Sequence, residues 1–229
     1  MKNIGWFAGC DKEAFDLFEG VLEAIRDGRL NAKISWVFCN TSSEKVLAEL
    51  RKIIGTDDIA VIFCDSKVFK AEIKKTNSGA SWRELYDKEV LRLLQCCLKP
   101  DIVMLVGYML VVTSILHDHF DMWNLHPALP GGPKGMVDAV TQEVVDLGLE
   151  ETGTMIHGVT GVVDDPRFVI SYCRVDIRDC SGPQEVREEQ YRQEGPLVGL
   201  TLEGIANGTI RMGDEAVDLT ESVVKMTNI

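Results

Sequence analysis

No apolar run in this 229-residue chain is long enough to cross a bilayer. The longest, Ile102 to Leu116, has 15 residues and is broken by Gly107, Tyr108, Thr113 and Ser114, whereas a span needs roughly 18 or more. No basic region followed by an apolar run opens the chain, so no signal peptide is expected. Basic charge is scarce as well: 24 Lys+Arg against 36 Asp+Glu give 24 − 36 = −12, which excludes nucleic-acid binding by bulk electrostatics. The 7 cysteines are odd in number and form no Cys-x-x-Cys pair, pointing to a reducing cytoplasm with free thiols rather than a disulfide framework. Cys10 stands apart, because a strand-to-helix loop places it where a helix N-terminus lowers a thiol pKa.

Two nucleotide signatures are also missing. Phe7-Ala8-Gly9-Cys10-Asp11-Lys12-Glu13 holds a single glycine and two acids where a G-x-G-x-x-G loop would lie, and no Walker loop occurs. No Cys/His/Asp set has metal-ligand spacing, and His117 and His119 flank Asp118 on what reads as a solvated helical face. The 45% hydrophobic content is nevertheless ample for a sizeable core and rules out disorder.

Short runs rich in Ile, Val, Phe and Trp at 2–8, 32–39, 58–64 and 101–108 read as buried parallel strands. Between them, helical periodicity covers 13–28, 43–54 and 82–98. Strand alternating with helix predicts an α/β, doubly wound, mostly parallel sheet whose ligands bind at the carboxyl ends of its strands. Further along, 154–159 and 168–177 read as strands, and 184–206 as a helix that Pro196 interrupts or bends. A small hairpin about Gly213-Asp214 is expected over 209–219, an antiparallel C-terminal addition. The parse is one domain, 1–229, with an N-terminal α/β half (1–110), a second half (111–206) and the C-terminal hairpin (207–229).

Asn124 and His126 lie in Trp123-Asn124-Leu125-His126-Pro127, and on a strand residues i and i+2 point the same way. They would bring an amide donor and an imidazole into one space, just before the Pro/Gly-rich loop 130–135. Downstream, Gly153-Thr154-Met155-Ile156-His157 is followed seven positions later by Asp164. This combination resembles the formyltransferase family that uses 10-formyltetrahydrofolate, and within it the branch acting on glycinamide ribonucleotide in purine biosynthesis. Supporting motifs are Arg83-Glu84-Leu85-Tyr86-Asp87-Lys88-Glu89, Pro100-Asp101-Ile102-Val103 through Gly107-Tyr108-Met109, and Gly195-Pro196-Leu197-Val198 to Asn207-Gly208.

The resemblance implies a Rossmann-like fold and a metal-free formyl transfer through a tetrahedral intermediate, with Asn124, His126 and Asp164 as the catalytic set and Asp165 in reserve. It implies a folate site formed by the backbone of Met109, Leu110, Val111 and Val112 and by Thr160, Gly161, Val162 and Val163, with Arg83 reaching the glutamate tail. Leu110 stands where the family usually has Arg, which backbone recognition tolerates. For the amine acceptor it implies Gly9, Cys10, Asp11, Lys12, Pro127 and Tyr191. A phosphate at Gly9 to Glu13 requires Asp11 and Glu13 to turn outward and Lys12 to face the ligand. Tyr191 falls where the family carries a Glu, with Glu188, Glu189 and Glu194 close by. Other acceptors, such as a nucleotide amino sugar, share the Asn, His and Asp, and a non-catalytic folate-binding module is the reading outside enzymes. The expected partners are two small molecules, without nucleic acid or membrane, and a homodimer is compatible with the sequence.

Overall fold

The computed structural model describes residues 1–76 and 81–227. They divide into two compact units, one of 1–26 with 32–122 and the other of 27–31 with 123–229. The first unit thus extends past position 110, to Met122.

The first unit alternates strand and helix as the periodicity requires. Its elements are β1 (Lys2–Ala8), α1 (Lys12–Arg26), β2 (Ala32–Cys39), α2 (Glu44–Ile54), β3 (Ala60–Phe63), α3 (Ser66–Thr76), α4 (Trp82–Leu94), β4 (Ile102–Val106) and α5 (Ser114–His117). The strands lie in the order β3-β2-β1-β4, and every pairing among them is parallel. Helix α1 buries Ala14, Phe15, Leu17, Phe18, Val21 and Leu22, the stripe that its periodicity marks. Aromatic side chains fill the core: the Phe7 ring lies 4.8 Å from Phe38 and 5.0 Å from Tyr108, edge-on to the latter.

Strand β4 and helix α4 end earlier than expected. Strand β4 stops at Val106 because Gly107 turns the chain at φ +66. That turn is tight: Gly9 N–H donates to the Val106 carbonyl at 2.7 Å, and a Cβ on Gly107 would sit 2.9 Å from the Ala14 methyl. Helix α4 ends at Leu94, short of Leu98. Helix α3 was not foreseen; its Lys-rich stretch SKVFKAEIKKT carries little apolar periodicity.

The second unit contains β5 (Met122–His126, from Trp123 onward), α6 (Val137–Asp146), β6 (Glu151–Gly158), a 3₁₀ turn (Pro166–Phe168), β7 (Val169–Asp176), α7 (Pro183–Asn207), β8 (Val217–Asp218) and α8 (Thr220–Thr227). Strands β5, β6 and β7 pair antiparallel, and β8 adds to β7 in parallel.

Here the structure excludes one alternative, an interruption at Pro196, and corrects one expectation. Helix α7 runs unbroken through Pro196, because Glu194, Leu197, Val198, Thr201 and Leu202 are buried on either side of it. That burial outweighs a proline penalty of about 3 kcal/mol. The C-terminal hairpin does not form. After Gly208, at φ +82, Thr209 and Ile210 N–H groups return to the Gly204 carbonyl at 2.8 and 3.0 Å. Ile210 then packs where a Cβ on Gly204 would be. The next strand finds its partner in β7, pairing Ser171 with Val217, and α8 buries Val223. Among the described residues, no helix is long and apolar enough to cross a membrane.

Candidate active site

In the second unit, antiparallel pairing of β5 with β6 sets Asn124 directly opposite His157. The Asn124 amide nitrogen lies 3.2 Å from His157 Nε2. His157 Nδ1–H donates to the Gly158 carbonyl at 3.0 Å. Its Nε2 lies between the Asn124 amide and Asp164 Oδ1, the latter 3.3 Å away.

His126, two residues along β5, is 3% exposed. Its Nε2–H donates to the Pro133 carbonyl at 3.0 Å, which leaves Nδ1 toward Asp164 Oδ1 at 3.6 Å, an ion-pair distance longer than a direct hydrogen bond. Burial pushes the imidazole below its ordinary pKa, against the upward pull of the Pro133 carbonyl and Asp164. His126 is thus neutral at rest near pH 7.

Asp164 sits in the left-handed region at φ +49, the only non-glycine there among the described residues. This is a strained conformation that packing must hold. Burial alone would raise its carboxyl. The His157 hydrogen bond, the His126 ring and the Gly135 N–H at 3.0 Å together bring it below the usual range. Asp165 goes elsewhere: its carboxylate caps the 3₁₀ turn through Arg167 N–H at 3.1 Å and pairs with the Arg167 guanidinium at 2.6 Å, which holds it at about 2.

The loop after β5 wraps this cluster, with Pro133 on His126 and Gly135 on Asp164. Pro127 is anchored by its carbonyl, which accepts from the buried Gln190 amide at 2.6 Å. In 160–163, Thr160 Oγ1 and Val162 close a local turn, leaving Val162 and Val163 about half exposed. On α7, Tyr191 lies under the Arg187 guanidinium at 5.6 Å, and Arg187 pairs with the buried Glu194.

In the first unit, the segment 109–112 follows the Gly107 turn and exposes Met109 and Val111 while burying Val112. Arg83, expected to reach outward, is turned in. Its Nη2 donates to the Val111 carbonyl and lies 3.5 Å from buried Asp87, which also accepts the Thr113 N–H at 2.7 Å.

The loop at 9–13 also differs from expectation. Asp11 Oδ1 accepts from Ala14 N–H at 2.9 Å and so caps α1 itself, and Lys12 pairs with Asp16 along the helix. The Cys10 thiol is pushed up rather than down, by burial and by Asp11 and Asp65, and donates to Asn40 Oδ1 at 3.4 Å. His117 is partly covered, with Nδ1 3.0 Å from Asp118, whereas His119 is exposed. Among the described residues, no group of three or more His, Cys, Asp or Glu is placed to hold a metal ion.

Sequence reasoning had not assigned a role to His157, although it lies in the quoted G-T-x-x-H motif. Its place opposite Asn124 follows from strand register, which no local pattern specifies.

Residues 12–194 match the protein family described as formyl transferase. Phosphoribosylglycinamide formyltransferase of Escherichia coli strain K12 is 23% identical over 201 residues, covering 86% of this chain and 85% of that protein. The crystal structure of glycinamide ribonucleotide transformylase 1 from Symbiobacterium toebii superposes with a TM-score of 0.74 at 20% identity, covering 93% and 95% of the two chains. That of phosphoribosylglycinamide formyltransferase from Brucella melitensis gives 0.71 at 23% identity, covering 93% and 99%. At these identities the solved structures establish a shared fold.

Proposed function

The chain belongs to the formyl transferase family, and from that membership we propose that it moves the formyl group of 10-formyltetrahydrofolate to the primary amine of glycinamide ribonucleotide, a step of purine biosynthesis. The observation that carries this reading is the constellation of half-buried Asn124 with buried His126, His157 and Asp164 inside the family-matched segment. We assign the reaction to the cytoplasm, with two small-molecule substrates and neither nucleic acid nor membrane as partner.

10-Formyltetrahydrofolate supplies an activated formyl carbon; addition of an amine gathers negative charge on the formyl oxygen, and collapse of that tetrahedral adduct breaks the bond from the formyl carbon to N10, which receives the proton the amine gives up as tetrahydrofolate leaves. Asn124 offers a neutral amide donor of the kind that stabilises such an oxygen. His126 holds one proton on Pro133 and exchanges the other at Nδ1. Asp164, kept ionised by its hydrogen bonds, supplies the counter-charge that makes a buried imidazolium tenable. His157 steadies both Asn124 and Asp164, which makes it a positioning residue.

Support for the folate reading also comes from the first unit. Segment 109–112 is fixed from behind by Arg83 and, through Thr113, by Asp87, while Met109 and Val111 stand exposed. Its backbone is thereby presented for recognition of the folate.

The test is release of tetrahydrofolate in the presence of glycinamide ribonucleotide. Wild type should turn over, and Asn124→Ala should be slower by about 100- to 1000-fold. Turnover with an amino sugar but not with glycinamide ribonucleotide would overturn the acceptor assignment, and wild-type rates in Asn124→Ala would overturn the mechanism.

A further inference from the structure

Pro133, Lys134 and Gly135 are consecutive in the chain, and each commits a polar group to the catalytic cluster of the second unit. The Pro133 carbonyl accepts from His126 at 3.0 Å, and the Gly135 N–H donates to Asp164 Oδ2 at 3.0 Å. Between them, the Lys134 ammonium donates to the Val163 carbonyl at 3.4 Å, a long hydrogen bond to the residue immediately before Asp164. Three successive residues thus grip both sides of the His126–Asp164 pair.

The middle grip falls where the site is least secured by its own segment. Thr160 Oγ1 closes on Val162 at one end, and Asp165 caps the 3₁₀ turn through Arg167 N–H at the other. Val163 and Asp164 lie between these anchors, and Asp164 stands at φ +49, a conformation that relaxes unless contacts oppose it. Among the described residues, Lys134 is the donor that the Val163 carbonyl receives. The lysine itself is exposed and, among the described residues, forms no ion pair with a carboxylate. Fixing a long, flexible side chain on a neutral carbonyl costs rotamer entropy, and the gain is placement of the segment it holds.

We propose that Lys134 is a positioning residue for the proton-transfer pair: by clasping Val163 to the loop after β5, it keeps the strained Asp164 carboxylate against His126. The consequence for rate rests on the formyl-transfer reading, whereas the clasp is tested without turnover.

Charge and clasp act on His126 with opposite signs. A nearby cation disfavours imidazolium, so deleting the lysine would by charge alone move the His126 midpoint upward. Displacing Asp164 moves it downward. The groups that face His126 are the Pro133 carbonyl, Asp164, His157 and Lys134, and Lys134 exerts the weakest influence of the four because it is exposed and screened by water and salt. Displacement of the carboxylate therefore outweighs the missing cation.

The experiment measures the His126 midpoint by nitrogen-15 NMR, and kcat for formylation of glycinamide ribonucleotide, in wild type, Lys134→Met and Lys134→Arg. Because the side chain is exposed, both variants should fold. In Lys134→Met the midpoint should fall, toward that of an Asp164→Asn protein. Its kcat should drop about tenfold, short of the roughly 100-fold that a misplacement of about 1 Å costs, since Gly135 and His157 still hold the carboxylate. Lys134→Arg restores a cationic donor and should return both quantities to wild type. A midpoint that is unchanged or rises in Lys134→Met, or that falls equally in Lys134→Arg, would overturn the clasp. A falling midpoint restored by arginine, in a protein that turns over no folate, would uphold the clasp and refute the formyl-transfer reading.

Discussion

Replacing Asp164 with Asn isolates the electrostatic part of the site, because Asn keeps the shape and one acceptor oxygen while removing the charge. The backbone tolerates the change: at φ +49 Asn is among the residues that enter the left-handed region most readily, so folding should be unharmed. The carboxylate lies 3.6 Å from His126 Nδ1. At an effective dielectric constant near 20, a full charge pair at that separation is worth about 332/(20 × 3.6), or about 4.6 kcal/mol. Each 1.36 kcal/mol is tenfold, so the Coulomb term caps the loss of rate at about three orders of magnitude. His157 shares the carboxylate, and the expected fall in kcat/KM is about 100-fold to 1000-fold.

The direction of the titration follows as well. Burial already places His126 below its ordinary pKa, and Asp164 opposes that shift, so removing the carboxylate moves the His126 midpoint to lower pH. Nitrogen-15 NMR of the imidazole across pH, alongside the pH profile of kcat/KM, measures both effects. A His126 midpoint and profile identical to wild type in a folded Asp164→Asn protein would refute the pairing.

Three further outcomes are expected. Asp11→Ser removes a carboxylate from the α1 N-terminus while keeping a capping hydroxyl, so the KM for glycinamide ribonucleotide should fall about three- to tenfold with the folate KM little changed; steady-state kinetics decide, and an unchanged acceptor KM would place the phosphate away from this loop. Gly107→Ala forces an L side chain to φ +66 with its Cβ 2.9 Å from the Ala14 methyl, and urea unfolding should show a loss of about 2 kcal/mol or more. Because His126 is held below its ordinary pKa, the unfolded chain takes up that proton first, and stability from this residue is lost as pH falls below about 6.5; His126→Gln should therefore lose less stability than wild type between pH 7 and 5, and parallel curves would refute this.

Much of the architecture was legible because its determinants are local. Runs of Ile, Val, Phe and Trp set β1, β2 and β4 to within two residues, and the apolar positions of α1 at Ala14, Phe15, Leu17, Phe18, Val21 and Leu22 define the face it buries. Helix α3 escaped notice for the same reason in reverse, since its lysines give no apolar stripe to read. The hairpin expected at 209–219 followed from Gly213-Asp214, a genuine turn signal. The competition that defeated it lay in the β7 edge and the Gly204 carbonyl, both far from the turn itself.

The sequence alone determined the α/β class and the presence of Asn124, His126 and Asp164 at motif spacing, because periodicity and residue chemistry are carried by neighbouring positions. Tertiary structure decided where the polar side chains spend their hydrogen bonds. It brought His157 opposite Asn124 by strand register, set Asp164 among the histidines and sent Asp165 to Arg167. It also folded Arg83 back onto Val111 and gave the α1 N-terminus to Asp11. Each choice depends on which buried donor or acceptor lies within about 3 Å once the chain has packed, and an unpaired buried group costs about 1–3 kcal/mol. Residue type states what a side chain can do; packing selects the partner with which it does it.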